Sequence, residues 1–169
     1  LTRLAPAELD RWKQALRRFL ARLAVRDARR PVLKSPPHTA RLGVLAEMFP
    51  EAKFLHVVRD PFVVFPSTIR LWRSLDEVQG LQVDRGEALE GYVFACFDEM
   101  YSAFERDRTA IPPDRLHEVR YEDLVAEPVA VLQRAYAQLR LDGFATARPA
   151  IEDQARSMKR YRTNTYQHD

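Results

Sequence analysis

Cysteine and glycine are scarce in this 169-residue chain, which carries one Cys, Cys96, and five Gly. A single cysteine excludes a disulfide scaffold and any zinc site built from thiolates, and it fits a reducing compartment. Long apolar runs are also lacking. The longest are a handful of residues, well short of the roughly 20 that cross a bilayer, and no signal-peptide core opens the chain. The expectation is a soluble protein of the cytoplasm with no membrane span. Charge of one sign is lacking too, with 27 basic against 24 acidic residues and a formal net charge of +3. Neither disorder nor a polyanion-coating tail follows from that balance. No spacing of His, Asp and Glu suggests a metal site, and none is expected.

What is present is apolar mass. The chain is 46% hydrophobic and 10% aromatic, enough for one domain over residues 1–169 that removes about 68–70% of its unfolded surface from water. No linker, internal repeat or low-complexity segment divides it. Arginine outnumbers lysine, and the stretch holding Arg17, Arg18, Arg22, Arg26, Arg29 and Arg30 is read as a solvated helix face rather than a nucleic-acid surface.

Periodicity predicts a helix from Pro6 to about Ala28, with Leu9, Trp12, Leu16, Phe19, Leu20 and Leu23 at steps of three and four. Pro31-Val32-Leu33-Lys34 reads as a short strand, stopped by Ser35-Pro36-Pro37. A helix follows from about Thr39 to Met48. Phe54-Leu55-His56-Val57-Val58 is a mostly apolar run, which predicts a strand covered on both faces of a parallel sheet. Asp60-Pro61 reads as an N-cap and first helical residue of a helix to about Val78, with Pro66 expected to kink or restart it. Further helices are expected from about Glu87 to Arg108, Glu127 to Leu139 and Arg148 to Arg160, with a third strand over Leu116 to Val119. Alternating strands and helices argue an α/β three-layer domain. Three strands are few for its length, since sheets more often have four to six. A neighbouring strand is therefore expected outside this chain.

The chemistry concentrates where strands end. In open α/β sheets ligands bind beyond the carboxyl ends of the strands, which sends Lys34 and Arg59 toward one rim. Ser67 follows Arg59 by about two helical turns. A guanidinium and a hydroxyl near one phosphate supply the charge-assisted bonds of an anion site. His56, in an apolar strand, reads as a satisfied core histidine. Trp12 and Trp72 read as packing residues.

The run KSPPHTARLGVLAEMFPEAKFLHVVRDPFVVFPS resembles the central segment of sulfotransferases that use 3′-phosphoadenosine 5′-phosphosulfate (PAPS), nearest the branch with many bacterial members and the protein-tyrosine sulfotransferases. Val119-Arg120-Tyr121-Glu122-Asp123-Leu124-Val125-Ala126-Glu127-Pro128 resembles the same family's later strand-to-helix junction. Together the matches span roughly residues 31 to 141. The resemblance implies a short parallel sheet flanked by helices in a three-layer, P-loop-like sulfotransferase fold. It implies that Arg59 and Ser67 bind the 3′-phosphate and that Lys34 stabilises charge on the bridging oxygen of the transferred sulfuryl group. His38 is the candidate general base, although it lies two residues later than the histidine of those members and Pro36 holds the corresponding position. Lys159 and Arg160 fall where the family brings basic residues over the nucleotide. Tyr121-Glu122-Asp123 is read as structural, its carboxylates helping to start the next helix.

The family binds the 5′-phosphosulfate on a loop after its first strand. No G-x-x-x-x-G-K-[ST] stretch or shorter Arg-Ser-Gly-Thr-like variant occurs, and the first glycine is Gly43. The expectation is thus a chain incomplete at its N-terminus, with first strand and phosphosulfate loop missing. The implied activity of the parent is sulfuryl transfer from PAPS to an acceptor hydroxyl or amine, releasing 3′-phosphoadenosine 5′-phosphate (PAP) without a metal. The alternatives are a non-catalytic remnant binding the 3′-phosphoadenosine half alone, and a basic nucleic-acid-binding domain. An open strand edge would allow a homo-oligomer. The acceptor is expected to be a small molecule or biopolymer, read by variable segments such as Ser74 to Arg108.

Overall fold

A computed structural model describes residues 4–81 and 88–158. In chain order the elements are α1 (Pro6–Arg26), a 3-10 turn (Pro36–Arg41), α2 (Leu42–Met48), β1 (Phe54–Val58), α3 (Pro61–Gln79), α4 (Ala88–Arg108), β2 (Leu116–Arg120), α5 (Tyr121–Ala126), α6 (Pro128–Gln138) and α7 (Phe144–Met158). The architecture is α/β, helix-rich around a short parallel sheet. β1 and β2 pair in register, from Phe54 opposite Leu116 to Val58 opposite Arg120.

The predicted strand Pro31–Lys34 does not form. Its residues take up no regular structure and are all exposed, and the sheet has two strands among the described residues. A strand needs a ladder to satisfy its backbone, and this segment has no neighbour to supply one. The expected double coverage of β1 is also corrected. Phe54, His56 and Val58 are half-buried, while Leu55 and Val57 on the opposite face are 42% and 44% exposed. The apolar run reflects strand-forming residues rather than two covered faces.

The covered face is packed by aromatic contact. The His56 ring lies 4.1 Å from Phe104 and 6.3 Å from Tyr101, both on α4. Its Nδ1 is 3.0 Å from Glu118 Oε2, the residue directly opposite on β2. His56 is thus the satisfied packing histidine expected. Burial and the nearby Glu118 carboxylate raise the Tyr101 hydroxyl's pKa above its ordinary value. Further along α4, Leu89 and Val93 form a core cluster with Ile69 of α3, closed by Phe65, Trp72 and Phe97. On the other side α6 packs on β2, whose Val119 is buried with Val131, Ala135 and Leu139.

Several local expectations hold. Asp60 caps α3, its Oδ1 accepting the Phe62 N–H at 2.9 Å, with Pro61 at the first helical position. α3 continues through Pro66 and does not restart there. That proline removes a single bond, to the carbonyl of Phe62 in the exposed first turn, where the ring clash is easily relieved. The second helix begins as a 3-10 turn, with Pro36 and Pro37 at its first two positions, where their missing N–H groups cost nothing. α7 starts at Phe144, four residues earlier than predicted, after Gly143 at φ 84° turns the chain. The short α5 was not foreseen as a separate helix, yet Glu122 and Asp123 do sit in its first turn.

The amino end of the sheet is firmly tied. Arg115 donates to the carbonyls of Ala52 at 3.1 Å, Ala46 at 3.4 Å and Phe49 at 3.0 Å. It thereby satisfies carbonyls at the C-terminus of α2 and in the loop before β1. Beside it Gly43 approaches α4 so closely that a Cβ there would stand 2.7 Å from Asp107 Oδ2. A cleft of about 340 Å³ opens here, between Gly43 and Glu47 on α2 and Arg106 and Asp107 on α4, with Arg115 at its floor.

Candidate functional site

The sequence placed its candidates at the other end, where both parallel strands terminate. Arg59 leaves β1 and is followed at once by the cap of α3. Because Val58 pairs with Arg120, the residues one step further on are brought side by side. The Arg59 guanidinium lies over the Tyr121 ring, 4.4 Å from its centroid. The Asp60 N–H points to Glu122 Oε1 at 3.4 Å, a long contact that joins the two strand-to-helix junctions. Glu122's pKa is held below its ordinary value, first by hydrogen bonding to its own backbone N–H, then by the Asp60 N–H and the charges of Arg120 and Arg59.

This rim suits an anion. α3 is a helix of 19 residues whose N-terminal N–H groups carry partial positive charge. Arg59 stands beside that terminus, half-buried, with its face on an aromatic ring and its donors in no hydrogen bond to the described residues. A ring partner fixes the plane of a guanidinium while leaving its N–H fork available.

The remaining candidates lie on other elements. Ser67 sits in α3, half-buried, six residues past Pro61 and so about 9 Å along the helix. Lys34 is exposed, on the irregular segment ahead of the 3-10 turn. His38 lies in that turn, half-buried, and its Nδ1 is buried with no hydrogen-bond partner. Burial, with Arg41's charge second, lowers its pKa, so the ring is neutral near pH 7. Among the described residues no hydrogen bond, ion pair or ring contact joins Lys34 or His38 to Arg59. Lys159 and Arg160 lie outside the described residues. Among those described, no group of His, Cys, Asp and Glu could hold a metal.

Sequence reasoning passed over Tyr121 as the partner of Arg59. The signal was available in the parallel register, which sets the residue after one strand beside the residue after the other.

Comparison with known proteins agrees with the motifs. The model of the sulfotransferase family matches residues 3–145. The chain is 39% identical over 167 residues to the omega-hydroxy-beta-dihydromenaquinone-9 sulfotransferases of Mycobacterium bovis and Mycobacterium tuberculosis. That similarity covers 99% of this chain and 43% of each relative, so the chain spans less than half of their length. No solved structure matches it. With most of its residues inside the family model and the family's strand-end motifs at the carboxyl rim of a parallel sheet, the chain belongs to the sulfotransferase family.

Proposed function

We propose that this chain carries the 3′-phosphoadenosine side of a sulfotransferase site that takes a sulfuryl group from PAPS and passes it to an acceptor hydroxyl. One observation carries the reading. Arg59 stands at the carboxyl end of β1, beside the α3 N-terminus, backed by Tyr121 and with its donors in no hydrogen bond to the described residues. In this reading Arg59 and Ser67 hold the 3′-phosphate, and Lys159 and Arg160 lie over the nucleotide. Tyr121 keeps the Arg59 plane fixed. The P-loop-like three-layer arrangement belongs to the same proposal.

PAPS brings an activated sulfur whose bond to the bridging oxygen breaks as the acceptor oxygen bonds to sulfur. The chain's residues have three tasks. Lys34 offsets the negative charge that grows on the bridging oxygen, an electrostatic contribution of the kind that supplies much of such catalysis. His38, neutral near pH 7, accepts the acceptor's hydroxyl proton. Arg59 and the α3 terminus fix the donor so that transfer is in line. No metal enters the scheme, and the protein is assigned to the cytoplasm.

The acceptor proposed is the hydroxyl of a largely apolar molecule. The mycobacterial relatives are named for an omega-hydroxylated dihydromenaquinone. On this chain Phe62, 79% exposed and three residues past Arg59, continues an aromatic face in which Phe65 contacts Phe94 at 6.5 Å and Phe97 at 6.3 Å. Those rings offer apolar surface next to the rim.

Titration with PAP and with adenosine 5′-phosphate tests the donor half. The reading expects saturable binding of PAP at least about tenfold tighter than of the nucleotide lacking the 3′-phosphate, a difference of about 1.4 kcal/mol. Equal affinities, or binding matched by any polyanion and abolished by salt, would replace the reading with nonspecific anion binding.

A further inference from the structure

The least covered part of the molecule is the second half of α1. No residue of this helix is buried, and every residue from Ala21 to Lys34 is exposed. Its first half is anchored, by Lys13 Nζ to Glu47 Oε1 at 2.9 Å and by Arg41 over the Trp12 ring at 5.4 Å. Leu16 and Leu20 are half-buried toward the body, whereas Phe19 and Leu23 on the same apolar arc are 56% and 41% exposed. At 3.6 residues per turn Arg18, Arg22 and Arg26 form an i, i+4, i+8 ridge along the outer border of that arc. None of the three pairs with a carboxylate among the described residues. Between Arg17 and Leu33 the chain has one acid, Asp27, and Arg29 takes up its carboxylate at 2.6 Å.

From this strip we infer that α1 docks on an anionic phospholipid bilayer, seating Phe19 and Leu23 among the acyl chains while the arginine ridge lies at the phosphate level. An amphipathic helix with a basic polar face and exposed aromatic and aliphatic side chains has the composition of an interfacial helix. Charge selects the occupant. A second copy would bring one arginine ridge against another, and nucleic acid would leave Phe19 and Leu23 without an apolar partner. Phospholipid supplies anions and hydrocarbon a few ångströms apart. The inference stands independently of the sulfuryl-transfer reading.

Sedimentation of the full chain with vesicles tests it, using phosphatidylcholine alone and phosphatidylcholine mixed with phosphatidylglycerol. Binding is expected to the mixed vesicles and not to phosphatidylcholine alone. Replacing Arg18, Arg22 and Arg26 together by Gln should weaken binding about a hundredfold, as three basic residues at an anionic surface imply. Phe19→Ala with Leu23→Ala should weaken it about tenfold or more. All five side chains project to solvent, and circular dichroism of each variant verifies that α1 persists. The inference is overturned if the folded chain ignores the mixed vesicles or binds both kinds equally. It is also overturned if duplex DNA competes fully while the apolar pair is dispensable, or if the apolar pair instead abolishes a concentration-dependent dimer.

Discussion

Two arginines mark the two ends of the β1–β2 sheet, and their surroundings differ in kind. Arg115, just before β2, donates to three backbone carbonyls. Arg59, just after β1, lies on a tyrosine ring, with its donors in no hydrogen bond to the described residues. The first is a fastener whose hydrogen-bonding capacity is directed inward. The second lies against a ring beside a helix N-terminus, with that capacity taken up by none of the described residues. The lesson is that a guanidinium's role is read from where its N–H groups go, since sequence composition treats both residues alike.

This contrast predicts opposite phenotypes. The largest effect on stability is expected from Arg115→Ala, which strips charged donors from three carbonyls and should cost about 3 kcal/mol, seen as a lower urea midpoint with PAP affinity unchanged at native conditions. Gly43→Ala sharpens the same point. Its Cβ would press on Asp107, and an overpacking cost of about 1–3 kcal/mol, partly offset by about 1 kcal/mol of helix propensity, leaves a loss of about 1 kcal/mol in the same denaturation assay. At the other end, Tyr121→Leu removes the ring beneath Arg59. It should weaken PAP binding about two- to fivefold, the scale of an exposed cation–π contact, measured by titration.

The smallest expected effect belongs to His38. Burial and Arg41 hold its pKa below the ordinary value in the folded chain, so the unfolded chain takes up that proton first as pH falls. The stability His38 contributes is therefore complete above about pH 6.5 and declines as pH drops through that value toward the folded pKa. His38→Gln should flatten this part of the stability curve between about pH 7 and pH 5. Parallel curves for the two proteins would show that His38 titrates alike folded and unfolded.

Much of the fold around Arg59 was legible in the sequence because its signals are local. The apolar run of β1, the Asp60-Pro61 cap and the apolar spacing of α4 each specify an element through its own residues. What was not legible depended on partners. Val32 and Leu33 have strand-forming side chains, yet among the described residues no ladder receives them, so they stay irregular and exposed. Leu55 and Val57 read as buried because burial was inferred from apolarity, whereas coverage depends on what packs opposite. The Arg59–Tyr121 contact joins the residues that follow two strands far apart in sequence, and only the register brings them together. Lys34 was grouped with Arg59 by an expected strand end that does not form as well as by the family motif, and His38 by the motif alone; among the described residues no hydrogen bond or ion pair joins either to Arg59.

The most direct test of the role given to Arg59 is calorimetric titration of wild type and Arg59→Ala with PAP. The account predicts saturable binding by wild type and at least about tenfold weaker binding by the variant, about 1.4 kcal/mol or more, with its urea midpoint unchanged. Equal affinity for PAP in the two proteins would contradict it, and would place the anion somewhere other than the carboxyl rim of the sheet.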